Sequence, residues 1–386
     1  MSSCLLITTS YPTSGLPGSE SAGAFVEDFS VALSRHVRLS VIAPALRAGI
    51  DEHGNLRVSY FKVPRIPLSL LKPTNPCNWS AIAQALRSGD DLVADEIARD
   101  PPSHILALWV LPSGYWARRH AAQMQIPYST WALGSDIWTL GRIPIVRNVL
   151  RTTLKGAAFC YADGEQLRSD VGRLADRDCS FLASSRLFPC PPRLSPAARP
   201  PYKLAFLGRW HPNKGADILL DSLRNLVDED WQRISEVRIA GGGPQEALIV
   251  AGVRALQATG RPVTLQGFLG REAAMELLAW ADWLLIPSRI ESIPVIFSDG
   301  LQAGCAMVTT PAGDLAQIVE GLGVGLCADT ADSQSFSAVL RRALTSSPAQ
   351  FQEGIRLAAR RFNVAESARR FALDAGLISD DSDDST

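Results

Sequence analysis

Histidine is scarce in this 386-residue chain, five in all, and the seven cysteines (4, 77, 160, 179, 190, 305 and 327) show no Cys-x-x-Cys or Cys-to-His spacing. Zinc sites need such spacing, so a zinc-built module is excluded, and a scattered, odd set of thiols fits a reducing, cytosolic compartment. Long apolar runs are also lacking. The two best, "ILALWVLPSGYWA" and "LLAWADWLLIP", fall short of the roughly 20 residues that a membrane-spanning helix requires, and Asp282 interrupts the second. The start, "MSSCLLITTS", has no basic segment ahead of its apolar run and leads into a Pro/Gly loop, so it is not read as a signal peptide. Charge of either sign is not in excess. A formal net charge of −1 lacks the basic bias of a nucleic-acid binder.

What is present is the pattern of a large α/β protein. Short apolar strands alternate with amphipathic stretches, as in βαβ units around parallel sheets. In the first half the strand candidates are "CLLITT", "RLSVIA", "RVSYFK", "HILALW", "PYSTW" and "AFCYA", with helices expected over 22–35, near 78–99, 114–123 and 145–156. The proline-dense segment "FPCPPRLSPAARPPYK" then reads as a linker. After it come "KLAFLG", "EVRIA", "VTLQG", "WLLIP", "AMVTT" and "GVGLCA", with helices near 215–227, 244–258, 271–280, 294–303 and 314–320, and three more near 334–345, 348–361 and 364–377. The expected division is an N-terminal Rossmann-like domain (1–187), a linker (188–202), a second Rossmann-like domain (203–362), a last helix (363–378) and a disordered acidic tail (379–386). A ligand site is expected in the cleft between the domains, facing the carboxyl ends of the strands.

Several motifs sit at those strand ends. "GRWHPNKG" follows "KLAFLG", and its Arg209 and Lys214 suit a diphosphate, since a guanidinium binds bidentately and an ammonium acts as a point charge. A solvated basic loop explains the same residues. It is no Walker A loop, for the spacing and the Mg²⁺-binding hydroxyl are missing. "IAGGGPQEAL" offers glycines for close backbone approach, with Pro244 expected at the first helical position; an ordinary strand-to-helix turn competes. "ESIPVIFSD" holds Glu291 in a loop and Asp299 inside a helix, ~12 Å apart along the axis if helical throughout. Such a pair suits the two ends of an elongated ligand, with an anion over the helix start near 292–295. A helix-start acid plus a tolerated internal acid is the plainer account.

In the first half, Gly23 before "AFVEDF" is the candidate for backbone approach to a substrate. "SESAG" misses the G-x-S-x-G elbow, so a serine hydrolase is not expected. "WALGSDIW" places Gly134 and Asp136 in a polar turn that suits a hydroxyl-bearing ligand or simply caps the next element. "DRD" at 176–178 precedes a strand and reads as a surface turn, and no catalytic metal is expected. Between 105 and 160, six Lys/Arg (118, 119, 142, 147, 151, 155) face one acid, Asp136; this +5 suits anionic lipid, an acceptor diphosphate or plain solvation.

Together these motifs resemble the retaining, nucleotide-sugar-dependent glycosyltransferases of GT-B architecture, glycosyltransferase family four (glycosyl transferases group 1). The resemblance runs from the "GR…KG" of Arg209 and Lys214 through "GGGP", "LQGF", "ADWLLIPS" and the E-x7-E-like stretch to "PAGDLAQIV". "LPSGYWA…IPYSTWALGSD" is similar to that family's acceptor domain. The resemblance implies two Rossmann-like domains with an inter-domain cleft, a last helix that crosses back to the first domain, and Arg209, Lys214 and Glu291 as the catalytic set. It implies donor contacts at Gly208, Gly243, Gly267, Phe268, Ser292, Ile293, Pro294 and Asp299, and acceptor or sugar contacts at Gly23, Gly134 and Asp136. It implies no metal and no cofactor beyond a UDP- or GDP-sugar donor. Partners are then the donor, a glycan or lipid-linked acceptor in surface polysaccharide assembly, and peripheral contact with the inner face of the cytoplasmic membrane. Two residues depart from the pattern: Asp299 stands for the usual glutamate and Leu133 for a common histidine. An epimerase or hydrolase of the same architecture, and a catalytically silent sugar-nucleotide-binding partner, are the competing expectations.

Overall fold

The computed structural model describes residues 2–12, 23–66, 68, 71, 75–187 and 197–380. Most of the loop after the first strand, most of the expected linker and the end of the acidic tail lie outside the described residues. The chain divides into two units, Met1–Leu187 together with Val364–Thr386, and Phe188–Asn363.

The first unit runs β1 (Ser3–Ile7), α1 (Ala24–Ser34), β2 (Arg38–Ala45), β3 (Gly49–His53), β4 (Leu56–Lys62), α2 (Trp79–Arg99), β5 (His104–Leu108), α3 (Tyr115–Met124), β6 (Tyr128–Ala132), α4 (Ser135–Trp138), α5 (Pro144–Gly156), β7 (Cys160–Ala162), α6 (Glu165–Ala175) and β8 (Ser180–Phe181). Its sheet has the order β3-β4-β2-β1-β5-β6-β7-β8, parallel except for the β3–β4 hairpin. Strands β1, β5 and β6 are buried at every position, which is why they are largely apolar; their polar members, Ser3, His104, Ser129 and Thr130, are buried with them. By contrast β3, "GIDEH", is exposed throughout and escapes an apolar-run reading; its acids keep an edge strand from pairing further.

The second unit runs β9 (Tyr202–Arg209), α7 (Ala216–Arg224), α8 (Asp228–Trp231), β10 (Ile234–Gly242), α9 (Glu246–Ala258), β11 (Val263–Gln266), α10 (Arg271–Trp280), β12 (Trp283–Ile286), α11 (Val295–Ala303), β13 (Ala306–Thr309), α12 (Leu315–Gly321), β14 (Gly325–Cys327), α13 (Ser333–Thr345) and α14 (Gln352–Arg361). All six strands are parallel in the order β11-β10-β9-β12-β13-β14. Asp282, the acid inside an apolar run, is buried because its carboxylate accepts the backbone N–H of Ala197 (3.1 Å) and Lys203 (2.8 Å). One helix start differs from expectation. α9 begins at Glu246 with Gln245 as its cap, so Pro244 lies in the preceding turn rather than at the first helical position.

The last helix, α15 (Val364–Asp374), belongs to the first unit. Its Phe371 ring lies 6.3 Å from Phe29, 5.7 Å from His104 and 6.1 Å from Tyr161, and Tyr161 donates to Asp374 Oδ2 at 2.9 Å. It closes one face of that sheet with apolar and aromatic side chains.

Candidate functional site

In the second unit, strand order reverses between β9 and β12, which are neighbours in the sheet although 10 and 11 separate them in sequence. In an open parallel sheet the loops at such a reversal diverge and leave room for a ligand at the carboxyl ends. The "GRWHPNKG" loop leaves β9 there, and "PSRIESIP" leaves β12 beside it.

The first loop is folded by its own backbone. Trp210 N donates to Gly242 O at 2.9 Å, His211 Nδ1 accepts the N–H of Asn213 at 3.2 Å, and Lys214 N donates to His211 O at 2.8 Å. Gly215 then turns into the left-handed region (φ +67°), and a Cβ there would stand 1.8 Å from Pro287 O. Glycine at 215 is therefore what lets the β9 loop lie against the end of β12.

Arg289 staples the two loops. Its N–H donates to Asn213 O (2.7 Å), Nη1 to Pro212 O (2.7 Å), and its fork meets both oxygens of Asp217 at 2.8 and 2.6 Å. The guanidinium holds the Asp217 carboxyl below the usual carboxylate range, and Asp217 in turn raises Arg289. Asp217 sits in the first turn of α7, where a negative charge also suits the helix dipole. So fixed, the loops bring Lys214 Nζ and Glu291 Oε1 into an ion pair, both side chains partly exposed. From the far side, Gly313 (φ +56°) packs against the backbone oxygens of Glu291 and Ser292, where a Cβ would stand 2.1 and 2.4 Å away.

The other donor-side expectations fall variously. Arg209 is exposed at the end of β9 and makes no ion pair among the described residues. Gly208 lies beside it, while Gly267 and the 46% exposed Phe268 follow β11, two strands from β9. Gly243 (φ +148°) is needed by the chain itself, since a Cβ would stand 2.8 Å from Trp210 O. Ser292, Ile293 and Pro294 have buried side chains, so backbone is what they can present, and the first N–H groups of α11 have no intrahelical acceptor. Asp299 departs from expectation. It has 0% exposure, because α11 is buried on nearly every side, and no surface of it is offered to a ribose.

In the first unit the reversal falls between β1 and β5. Asp136 is another correction: it is 1% exposed, and its carboxylate accepts the N–H groups of Val110 (2.7 Å), Leu133 (3.3 Å) and Ile137 (3.2 Å). It ties the loops after β5 and β6 together instead of facing an acceptor, and its burial pushes the carboxyl up despite those donors. Gly134 (φ +95°) faces the Trp138 ring, which a Cβ would meet at 3.2 Å. Gly23 (φ +84°) packs on the backbone of Ser10 and Tyr11, so the chain's own approach, at 2.7 Å for a Cβ, requires glycine there. Trp109 was not visible as a candidate. It follows β5 with a positive φ (63°), a rare conformation for an aromatic residue, with its partly exposed ring edge-on to Phe25 at 6.2 Å. A single aromatic after a strand gives no sequence signal for such strain.

Among the described residues no group of three or more His, Cys, Asp or Glu could hold a metal ion, and no helix is long and apolar enough to cross a membrane.

Residues 201–346 match the family model described as Glycosyl transferases group 1. That stretch contains both stapled loops. Glycogen synthase of Thermodesulfovibrio yellowstonii is 28% identical over 181 residues, 45% of this chain and 35% of that protein. The chain thus spans about a third of that relative's length. Sucrose-phosphate synthase from Thermosynechococcus elongatus has a similar structure, with TM-score 0.73 and 16% identity over 97% of this chain and 98% of that one. Anabaena HepE in complex with UDP-glucose gives TM-score 0.66 and 15% identity over 97% and 100%. The fold is the GT-B class of two Rossmann-like domains.

Proposed function

We propose that this chain is a glycosyltransferase that moves a sugar from a UDP- or GDP-sugar to a glycan or lipid-linked acceptor, with retention of anomeric configuration and without a metal. The observation that carries the reading is the Lys214–Glu291 ion pair, held at the strand-order reversal inside the segment that matches the glycosyltransferase model. An ammonium, a nearby exposed guanidinium at Arg209 and the N-terminus of α11 form a cationic setting for a diphosphate. The same groups stabilise the charge that grows on the leaving phosphate as the glycosidic bond breaks. Glu291 accepts hydroxyls of the donor sugar, and the leaving phosphate takes the acceptor's proton.

On the acceptor side, Trp109 just after β5 and Phe25 at the start of α1 offer aromatic surface to a sugar ring. The setting is the cytoplasmic face of a membrane, in surface polysaccharide assembly, with peripheral contact to anionic lipid where the acceptor is lipid-linked.

The test is a thermal-shift screen against UDP-, GDP- and ADP-sugars, followed by transfer assays with the best donor, since a ligand of the native state raises Tm by mass action. A donor-dependent shift that Lys214→Ala abolishes supports the reading; a shift unchanged in both Lys214→Ala and Glu291→Ala defeats the site assignment. The buried Asp299 favours one second reading, a silent sugar-nucleotide-binding partner. Donor binding without transfer to any glycan or lipid-linked acceptor would select it.

A further inference from the structure

The backbone of Trp109 has φ 63° and ψ 119°, and the peptide groups on both sides of it are clamped. Its own N–H donates to Trp131 O in β6 at 2.9 Å, and the next N–H, of Val110, donates to Asp136 Oδ2 at 2.7 Å. Its carbonyl accepts the N–H of Gly114 at 3.3 Å. A torsion turns only if a flanking peptide turns, so these bonds keep Trp109 in a conformation that glycine adopts freely and an aromatic residue rarely does. Of the three partners, Asp136 alone acts through its side chain. Its other oxygen takes the N–H groups of Leu133 (3.3 Å) and Ile137 (3.2 Å), which anchors the clamp to the end of β6. The indole so held is partly exposed just past the carboxyl end of β5, where strand order reverses between β1 and β5. Phe25 and Leu133, also partly exposed, rest with it on one buried core. Loops at such a reversal are where an open parallel sheet receives a ligand.

We propose that Asp136 is a positioning residue: through the Val110 N–H it holds Trp109 in its positive-φ conformation and so presents the indole to a pyranose ring of the acceptor. Asp136 is itself 1% exposed and touches no ligand. A carboxylate suits the task, because its two oxygens accept all three N–H groups, whereas a side-chain amide would turn its own NH₂ toward one of them. The C–H face of a pyranose matches the negative face of an indole, and an indole already fixed in place loses little freedom on stacking. Backbone strain of this kind persists only where the surroundings over-determine it, which is what the clamp does. The inference rests on the glycosyltransferase reading for calling the ring an acceptor's; the stacking itself needs no donor.

The full chain is labelled with fluorotryptophan, and the fluorine NMR signal of Trp109 is the one missing from Trp109→Phe. Methyl glucoside, methyl galactoside, methyl mannoside and methyl N-acetylglucosaminide are added in turn, without donor. At least one is expected to shift the Trp109 signal and to leave those of Trp210 and Trp283, in the second unit, in place. Asp136→Asn is expected to move the Trp109 signal of the free protein and to weaken that glycoside about tenfold, with the donor-induced rise in Tm unchanged. Asp136→Ser, which offers a single oxygen, is read in the same way if the first variant does not fold. A Trp109 signal that no glycoside moves, glycoside affinity unchanged in the Asp136 variant, or loss of the donor response along with glycoside binding overturns the inference. A Trp109 shift in a parent protein that no nucleotide-sugar stabilises would instead defeat the glycosyltransferase reading and leave the stacking site standing.

Discussion

Lys214 and Glu291, 77 positions apart in the chain, meet as an ion pair because two left-handed glycines and one arginine leave their loops no other course. Gly215 brings the lysine's loop onto Pro287, Gly313 backs the glutamate's, and Arg289 joins both to Asp217. With both side chains partly exposed, the pair contributes little to stability. Its consequence is for the proposed reaction, in which an incoming diphosphate would compete with Glu291 for the ammonium.

That competition gives the first prediction. Glu291→Gln frees Lys214, so UDP or GDP without a sugar is expected to bind several-fold more tightly, by calorimetry. Transfer is expected to fall ~10²-fold, because the hydroxyl acceptor for the sugar is weakened. Unchanged nucleotide affinity would place the diphosphate away from Lys214.

Arg289 touches no ligand in the proposed reaction and acts by position. Arg289→Gln is expected to raise KM for the donor and lower kcat together, as the Lys214 and Glu291 loops lose register. Asp217→Asn tests the same staple through pH. Since Asp217 is lowered by Arg289, its stabilisation is fully present above the ordinary aspartate pKa of ~3.9 and is lost as pH falls through the lower folded value. Thermal melts of the second unit's residues should lose that acid dependence in the variant. An identical acid limb in both proteins would show that the staple contributes nothing.

Much of this was legible in the residues. The alternation of apolar strands and amphipathic helices predicts a two-sheet α/β fold because parallel strands, buried on both faces, have nowhere to place polar groups. The β9 and β12 loops were legible for the same reason: "KLAFLG" and "WLLIP" end abruptly in polar, turn-forming residues. Burial at single positions was not. Asp299 and Asp136 read as acids offered to a ligand, yet α11 is enclosed almost all round, and Asp136 spends its carboxylate on two local backbone N–H groups, of Leu133 and Ile137, and on that of Val110, 26 positions away. The polar β3 was missed because an exposed edge strand carries no apolar run. Arg289 was unremarked, since a staple is defined by partners that only the fold brings near.

Gly215 is the most restrictive point of that arrangement. Gly215→Ala meets a backbone oxygen and a left-handed φ at once, neither of which a rotamer change relieves. A loss of ~2 kcal/mol or more is expected in denaturant unfolding of the second unit, with donor binding lost disproportionately. Gly267→Ala, where a Cβ meets open space, is the matched control and is expected to unfold like the parent protein.

The first unit carries its own pH dependence at His104. This ring is buried between the sheet and α15, 2.8 Å from Ser129 Oγ and edge-on to Phe371, and burial pushes its pKa down to about 4. The unfolded chain, with a histidine near pH 6.5, therefore binds a proton that the folded one refuses. Its stabilisation is fully present above pH ~6.5 and is lost as pH falls through about 4, on the order of 3 kcal/mol in all. His104→Gln does not titrate in this window. Hydrogen exchange at the amides of β5 and α15, compared between pH 7 and 4.5, should show protection falling more steeply in the parent protein than in the variant, whatever the variant's stability at neutral pH. Equal slopes would mean that His104 takes up its proton without leaving the fold.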